Sequence, residues 1–194
     1  NVRAATERVN GGIAGTIVDS FRHPENAVMV NIFMPCEILH AMELTPMFPE
    51  GISAYVANTA CDEVFVETSE SHDIAETFCS YHKLMIGVAE TGIMPRPLMI
   101  ANTTLACDAN QLSFPRLAKF SDVPHYVIDV PTTADEDAVV YVADQLRELT
   151  ALLEDATHRS LDPEALRATM VNSRRTIQAY QRSLALRGKV SLDT

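Results

Sequence analysis

Three short apolar runs, each bounded by proline or turn-forming residues, punctuate the chain. Ala27 to Phe33 (AVMVNIF), Pro97 to Asn102 (PLMIAN) and His125 to Val130 (HYVIDV) are too short for helices and rich in β-formers, so each predicts a buried strand. Elsewhere apolar positions recur at helical spacing. Cys79 to Glu90 carries Leu84, Met85, Val88 and Ala89 on one face, and Gly92 stands where a C-terminal glycine cap belongs. Glu136 to Asp155 has apolar positions Val139, Val140, Val142, Leu146, Leu149, Leu152 and Leu153, and Pro163 to Arg187 opens with Asp162 as N-cap and Pro163 at the first helical position.

Weaker patterns fill the remainder. Ala4 to Phe21 predicts a helix interrupted or ended near Gly11 and Gly12, and Glu37 to Met42 a short helix closed by Pro46 and Pro49. Ile52 to Asn58 fits strand or helix. Residues 62–76 hold six acids and no base, which reads as a solvated surface with Ser71 to Glu76 entering the next helix. Asn110 to Phe120 is helical, with Pro115 expected to break or restart it.

Two strands joined through a helix make a βαβ unit, with parallel pairing and a right-handed crossover. The expectation is an α/β fold: an open parallel sheet flanked by helices in three layers, Rossmann-like or flavodoxin-like, ending in two long helices. Residues 1–157 would form the α/β domain and residues 158–194 a C-terminal helix leading away from it. Ligands of such sheets sit beyond the carboxyl ends of the strands.

Composition narrows the function. With 194 residues, 47% hydrophobic and 21% charged, the chain is an ordinary globular one, neither disordered nor disulfide-stapled. A net charge of -11 argues against nucleic acid. The charge is uneven: residues 1–157 hold 8 basic and 23 acidic side chains, residues 158–194 hold 7 and 3. The basic end reads as a solvated helix face, with an anion-binding surface or a docking face for an acidic neighbour as alternatives. No segment is long and apolar enough to span a bilayer and no signal peptide is visible, so a reducing cytoplasmic setting is expected. The start at Asn1 instead of Met suggests a processed or trimmed chain.

All four cysteines, Cys36, Cys61, Cys79 and Cys107, fall within the first 107 residues. Cys107 lies in the loop Thr103 to Asp108 (TTLACD) after a strand, Cys79 at a predicted helix N-terminus that favours thiolate, and Cys36 just past the first strand. Three thiols are thus expected at one edge of the sheet. The 28-residue spacing from Cys79 to Cys107 excludes a local CxxC-type motif, so any metal site is assembled from separate loops. His40 and His82 fall near cysteines, but a lone helical histidine reads as a surface or satisfied core residue. Neither GxGxxG, nor a Walker A run, nor a GxSxG elbow occurs.

The segments Pro35 to Ala41 (PCEILHA), Phe78 to His82 (FCSYH) leading to Gly87, Ile100 to Ala109 (IANTTLACDA) and Pro124 to Pro131 (PHYVIDVP) together resemble the 2-hydroxyacyl-CoA dehydratase family, which also holds benzoyl-CoA reductase subunits. The resemblance spans nearly the whole chain but only the N-terminal half of a typical family subunit. It implies an oxygen-sensitive iron–sulfur subunit that works in a hetero- or homodimer. An ATP-hydrolysing iron–sulfur activator protein would supply one electron, and an acyl-CoA substrate would lose its hydroxyl through a ketyl radical. It also implies a [4Fe–4S] cluster held by three cysteines, of which the first two match Cys79 and Cys107, with the third in a C-terminal domain beyond Thr194. The isolated chain is therefore expected to be cluster-free. Cys36 is a conceivable substitute and Cys61 incidental. Loop N–H groups from Thr103 to Asp108 and the Ser80 hydroxyl are expected to hydrogen-bond the sulfurs. Glu37, in the family's Pro-x-Glu position, is the candidate for substrate positioning or proton transfer, unless it is merely a helix-start carboxylate. A reductase subunit and a non-catalytic electron-transfer subunit are the alternative readings.

Overall fold

In the computed structural model, which describes residues 2–105 and 107–186, four strands form one parallel sheet. They are β1 (Ala27–Val30), β2 (Thr45–Met47), β3 (Met99–Thr103) and β4 (His125–Ile128), in the order β2-β1-β3-β4. The helices are α1 (Val2–Arg22), α2 (Glu37–Ala41), α3 (Pro49–Val56), α4 (Asp62–Ser71), α5 (Ser80–Glu90), α6 (Asn110–Ser121), α7 (Glu136–Thr157) and α8 (Pro163–Leu184). Every strand-to-strand connection passes through at least one of them, as parallel pairing requires. The expected α/β three-layer fold is present.

Strand periodicity divides the core in two. Val28 and Val30 of β1 join Met99, Ala101 and Ile128 beneath α2 and α7, whereas Ala27 and Met29 join Ile100 beneath α5 and α6. All residues of β1 and β3 are buried, because both sheet faces are covered. Leu149 and Leu153 carry the apolar stripe of α7 into the first layer, and Phe114 and Leu117 do so for α6 in the second. Full burial of such a side chain stabilises by about 1.5–3 kcal/mol. Helix α8 lies outside α2 and buries no residue completely.

Helix α5 is the inner helix of its layer, buried continuously from His82 to Ala89 and packed on α3, α4 and α6. Gly87 permits this: a Cβ there would sit 1.9 Å from the carbonyl oxygen of Phe65 on α4. Buried charges are paired, as they must be. Lys83 Nζ donates to Glu70 Oε1 (2.5 Å) and to the carbonyl of Glu76 (2.9 Å), and Glu90 accepts from Arg116 Nε (2.7 Å) and lies 2.8 Å from His72 Nδ1. These links tie α4, α5 and α6 into a rigid platform. Gly92 ends α5 with φ +76, the left-handed conformation expected of a glycine cap.

Several local expectations need correction. Helix α1 runs through Gly11 and Gly12, whose surroundings are open, so their cost is about 1 kcal/mol each and not a break. Pro46 does not end a unit but sits inside β2, an edge strand where a missing N–H is tolerated. Residues 62–71 are helical, with Asp62 and Glu63 complementing the dipole of α4, and the chain from His72 to Cys79 is turn and coil where a helix was expected to begin. Ile52 to Asn58 resolves as the end of α3, and α6 continues through Pro115. The first strand stops at Val30, since Asn31 turns its backbone to Met34. Asp162 caps α8 as expected, its side chain accepting from Glu164 N–H (2.9 Å); the predicted end at Arg187 lies outside the described residues. No described helix is long and apolar enough to cross a membrane.

Candidate functional site

The carboxyl ends of the strands are locked by side chains. Asn31, just after β1, spans to Thr103 at the end of β3: its Nδ2 donates to Thr103 O and Oγ1 (both 3.3 Å) and its Oδ1 accepts from Thr103 N–H (3.1 Å). Asn102 of β3 reaches to the start of β4, its Oδ1 accepting from His125 Nε2 (2.7 Å). Burial lowers the His125 pKa and keeps that ring neutral. The loop after β3 is pinned in turn by Thr104, whose hydroxyl donates to Asp129 (3.2 Å) and accepts from Val130 N–H (2.9 Å).

On this platform two cysteines meet the N-terminal end of α5. Cys79 is the N-cap of α5 and is exposed, with no acid in the first turn of the helix. Cys107 is half-buried in the β3–α6 loop, its Sγ 3.5 Å from Nε2 of His82, one turn into α5. His82 is 4% exposed, and burial lowers its pKa so that the ring is neutral. Its Nδ1 lies 2.8 Å from Ser113 Oγ, and that hydroxyl donates to the carbonyl of Ala109 (2.8 Å). Phe78 and Tyr81 stand edge-on to the ring, with centroids 6.0 and 6.4 Å away.

The other two cysteines do not join this corner. Cys36 caps the short α2, its thiol donating to Met34 O (3.3 Å); burial first, and the Glu37 charge second, push its pKa up to about 12. It is a protonated thiol, and the expected convergence of three thiols is not observed. Cys61 is exposed ahead of Asp62 and Glu63. Among the described residues no three His, Cys, Asp or Glu side chains come together to hold a metal. The α5 corner thus offers two cysteine thiols, and a metal group held there would need further ligands from elsewhere.

The expected loop donors are largely committed within the protein. The N–H groups of Thr103, Thr104, Leu105 and Cys107 go to Asn31 Oδ1, Ile128 O, Thr103 Oγ1 and Leu105 O, and Ala106 lies outside the described residues. The Ser80 hydroxyl has no partner among the described residues. Nor does the fully buried amide of Asn110, at the start of α6.

A separate cavity of about 930 Å³ opens between α2 and α8. Glu37 lines it, Oε1 accepting from Ser173 Oγ (2.5 Å), together with Phe33, His40, Asn172 and Ile177. Glu50 connects the two regions. It is 4% exposed, its Oε2 accepts from Ile32 N–H (2.8 Å), and its backbone carbonyl accepts from the Tyr81 hydroxyl. Burial raises its pKa to about 7 against the opposing pull of the Ile32 hydrogen bond. Glu50, Tyr81, Ser113 and Asn110 were not legible as site residues. Asn31 and Asn102 carried one signal, an amide side chain inside an otherwise apolar run.

The sequence of residues 31–192 matches the family described as 2-hydroxyglutaryl-CoA dehydratase, D-component. The chain is 23% identical over 158 residues to the (R)-phenyllactyl-CoA dehydratase alpha subunit of Clostridium sporogenes, covering 77% of this chain and 39% of that protein. To the (R)-2-hydroxyisocaproyl-CoA dehydratase alpha subunit of Clostridioides difficile it is 24% identical over 162 residues, covering 78% and 40%. The chain thus spans about two fifths of the length of the curated relatives it matches.

Proposed function

The chain belongs to the 2-hydroxyglutaryl-CoA dehydratase D-component family, and on that premise we propose that it is the cluster-binding N-terminal part of an ATP-activated 2-hydroxyacyl-CoA dehydratase subunit. The reaction is the removal of water from a 2-hydroxyacyl-CoA, a carbon–oxygen lyase step. The observation that carries this reading is the family match over residues 31–192; within it Cys79 caps α5, and Cys107 stands 3.5 Å from His82 in the first turn of the same helix. These two thiolates would hold a [4Fe–4S] cluster with a third ligand from outside this chain. Once bound, the cluster supplies the single electron that a ketyl-radical route needs at the thioester, received from an ATP-hydrolysing activator protein.

The rest is the work of the chain's own groups. The cavity beside Glu37 has a mixed lining suited to a thioester with an acyl chain: Phe33 and Ile177 give it apolar walls, and His40 and Asn172 offer polar contacts. Glu37, held by the Ser173 hydroxyl, is the carboxylate placed to orient the substrate or to move a proton to or from it. Because both relatives are named as alpha subunits, a second family subunit is the proposed partner, and their dehydratase names favour dehydration over reduction.

The test is anaerobic reconstitution of the full-length subunit. The wild type is expected to take up about four irons, as one cubane requires, and Cys79→Ala and Cys107→Ala each to lose most of that iron. Full iron in both variants would overturn the assignment.

A further inference from the structure

We propose that His82 is the positioning residue of Cys107: its Nε2–H donates a hydrogen bond to the Cys107 sulfur when that sulfur serves as a thiolate ligand, with the Ser113 hydroxyl turning to partner Nδ1 in that tautomer. The proposal rests on the reading of Cys107 as a cluster ligand. It starts from a contact already made, since Nε2 stands 3.5 Å from Sγ, within the range of an N–H···S bond. The ring has little freedom to leave, being 4% exposed and enclosed by Phe78 and Tyr81. Four amides of the loop that carries this sulfur, those of Thr103, Thr104, Leu105 and Cys107, are bonded within the protein.

The Ser113 hydroxyl makes the arrangement serve two states. While Cys107 is a thiol, Ser113 donates to Ala109 O and accepts from Nδ1–H, leaving Nε2 to accept the S–H proton. A thiolate can only accept, so Nε2 must then donate and Nδ1 must receive a bond. Ser113 Oγ, 2.8 Å from both Nδ1 and Ala109 O, meets that need by rotating its hydrogen. No heavy atom moves, and one proton is released to solvent for the thiol ligated. A donor of this kind tunes cluster potential, because it draws charge from the sulfur and favours the reduced form.

The experiment uses the full-length subunit, reconstituted anaerobically and followed by iron content and by an EPR-monitored redox titration. His82→Phe is expected to shift the midpoint potential to more negative values, while His82→Gln, whose amide N–H has the reach of Nε2, stays near the wild type. A second measurement needs no substitution: [15N]histidine-labelled wild type should show a weak 15N coupling to the reduced cluster, lost in His82→Gln. A cluster-loaded wild type without that coupling, or a loaded His82→Phe at the wild-type potential, overturns the role of His82 alone. A wild type that takes up no iron overturns the cluster reading, and this proposal with it.

Discussion

Cys36 and Cys79 occupy equivalent places in the fold, each the N-cap of a helix on the carboxyl side of the sheet, and neither caps with its side chain. Their surroundings set them apart. Cys79 is exposed and followed by Ser80, Tyr81 and His82, whereas Cys36 is half-buried, bonded to Met34 O and followed by Glu37. The dipole of a five-residue helix cannot offset both desolvation and an adjacent carboxylate. A helix N-terminus therefore does not by itself make a thiolate. At the α2 corner burial and the adjacent Glu37 carboxylate decide it, holding Cys36 protonated.

The largest effect tests this contrast directly. A thiol with pKa about 12 against the ordinary 9.0 has a thiolate fraction lower by a factor on the order of 10³ at neutral pH. In the native chain, iodoacetamide labelling followed by peptide mass spectrometry should modify Cys36 about that much more slowly than an unfolded reference peptide. Equal rates at Cys36 and Cys79 would erase the distinction. Next in size, Gly87→Ala drives a methyl into the Phe65 carbonyl and should cost at least about 3 kcal/mol, read as a lowered denaturant midpoint. On the other side, Ser173→Ala removes one hydrogen bond to Glu37 and should cost no more than about 1–2 kcal/mol.

The link between the two regions titrates. The Glu50 pKa stands near 7 in the fold against an ordinary 4.5, so the folded state holds a proton that the unfolded chain gives up. Stability is then highest below pH 4.5 as far as this group is concerned, and is lost as the pH rises through 7, by roughly 2–3 kcal/mol. Chemical denaturation at pH 5 and pH 8 should show the decline, and Glu50→Gln should flatten it. The smallest effect concerns Asn110, whose amide finds no partner among the described residues. Asn110→Leu should be neutral or stabilise the protein by about 1 kcal/mol in thermal unfolding. A clear destabilisation would mean that the amide is bonded after all.

The layer architecture was legible in the sequence because three of the four strands are short, largely apolar runs and the long helices carry orthodox caps. Strand β2 was hidden by Pro46, a residue that argues against a strand everywhere except at an edge. Helix α4 was hidden because its acids suit both a helix face and a solvated loop. Of the site, Cys79, Cys107 and Glu37 were visible through local spacing and resemblance. His82 looked like a core histidine, and it is one; what the sequence lacked was its partner, Cys107, 25 residues away. Glu50 and Tyr81 are 31 residues apart and carry no shared motif, so only the packing of α3 on α5 brings them together.

The side-chain clasp between Asn31 and Thr103 joins residues 72 positions apart, and this fixes when the site can come into being. Closing a loop of that length carries an entropic penalty that grows with its logarithm, and long-range parallel pairing is among the slow events of folding. Cys79 lies inside that loop and Cys107 just past its end. Until β1 and β3 zip together the two thiols are strangers on a flexible chain, open to oxidation and to scavenging by loose metal ions. Assembly of the α5 corner is consequently a late event, one that follows the long-range closure of β1 on β3.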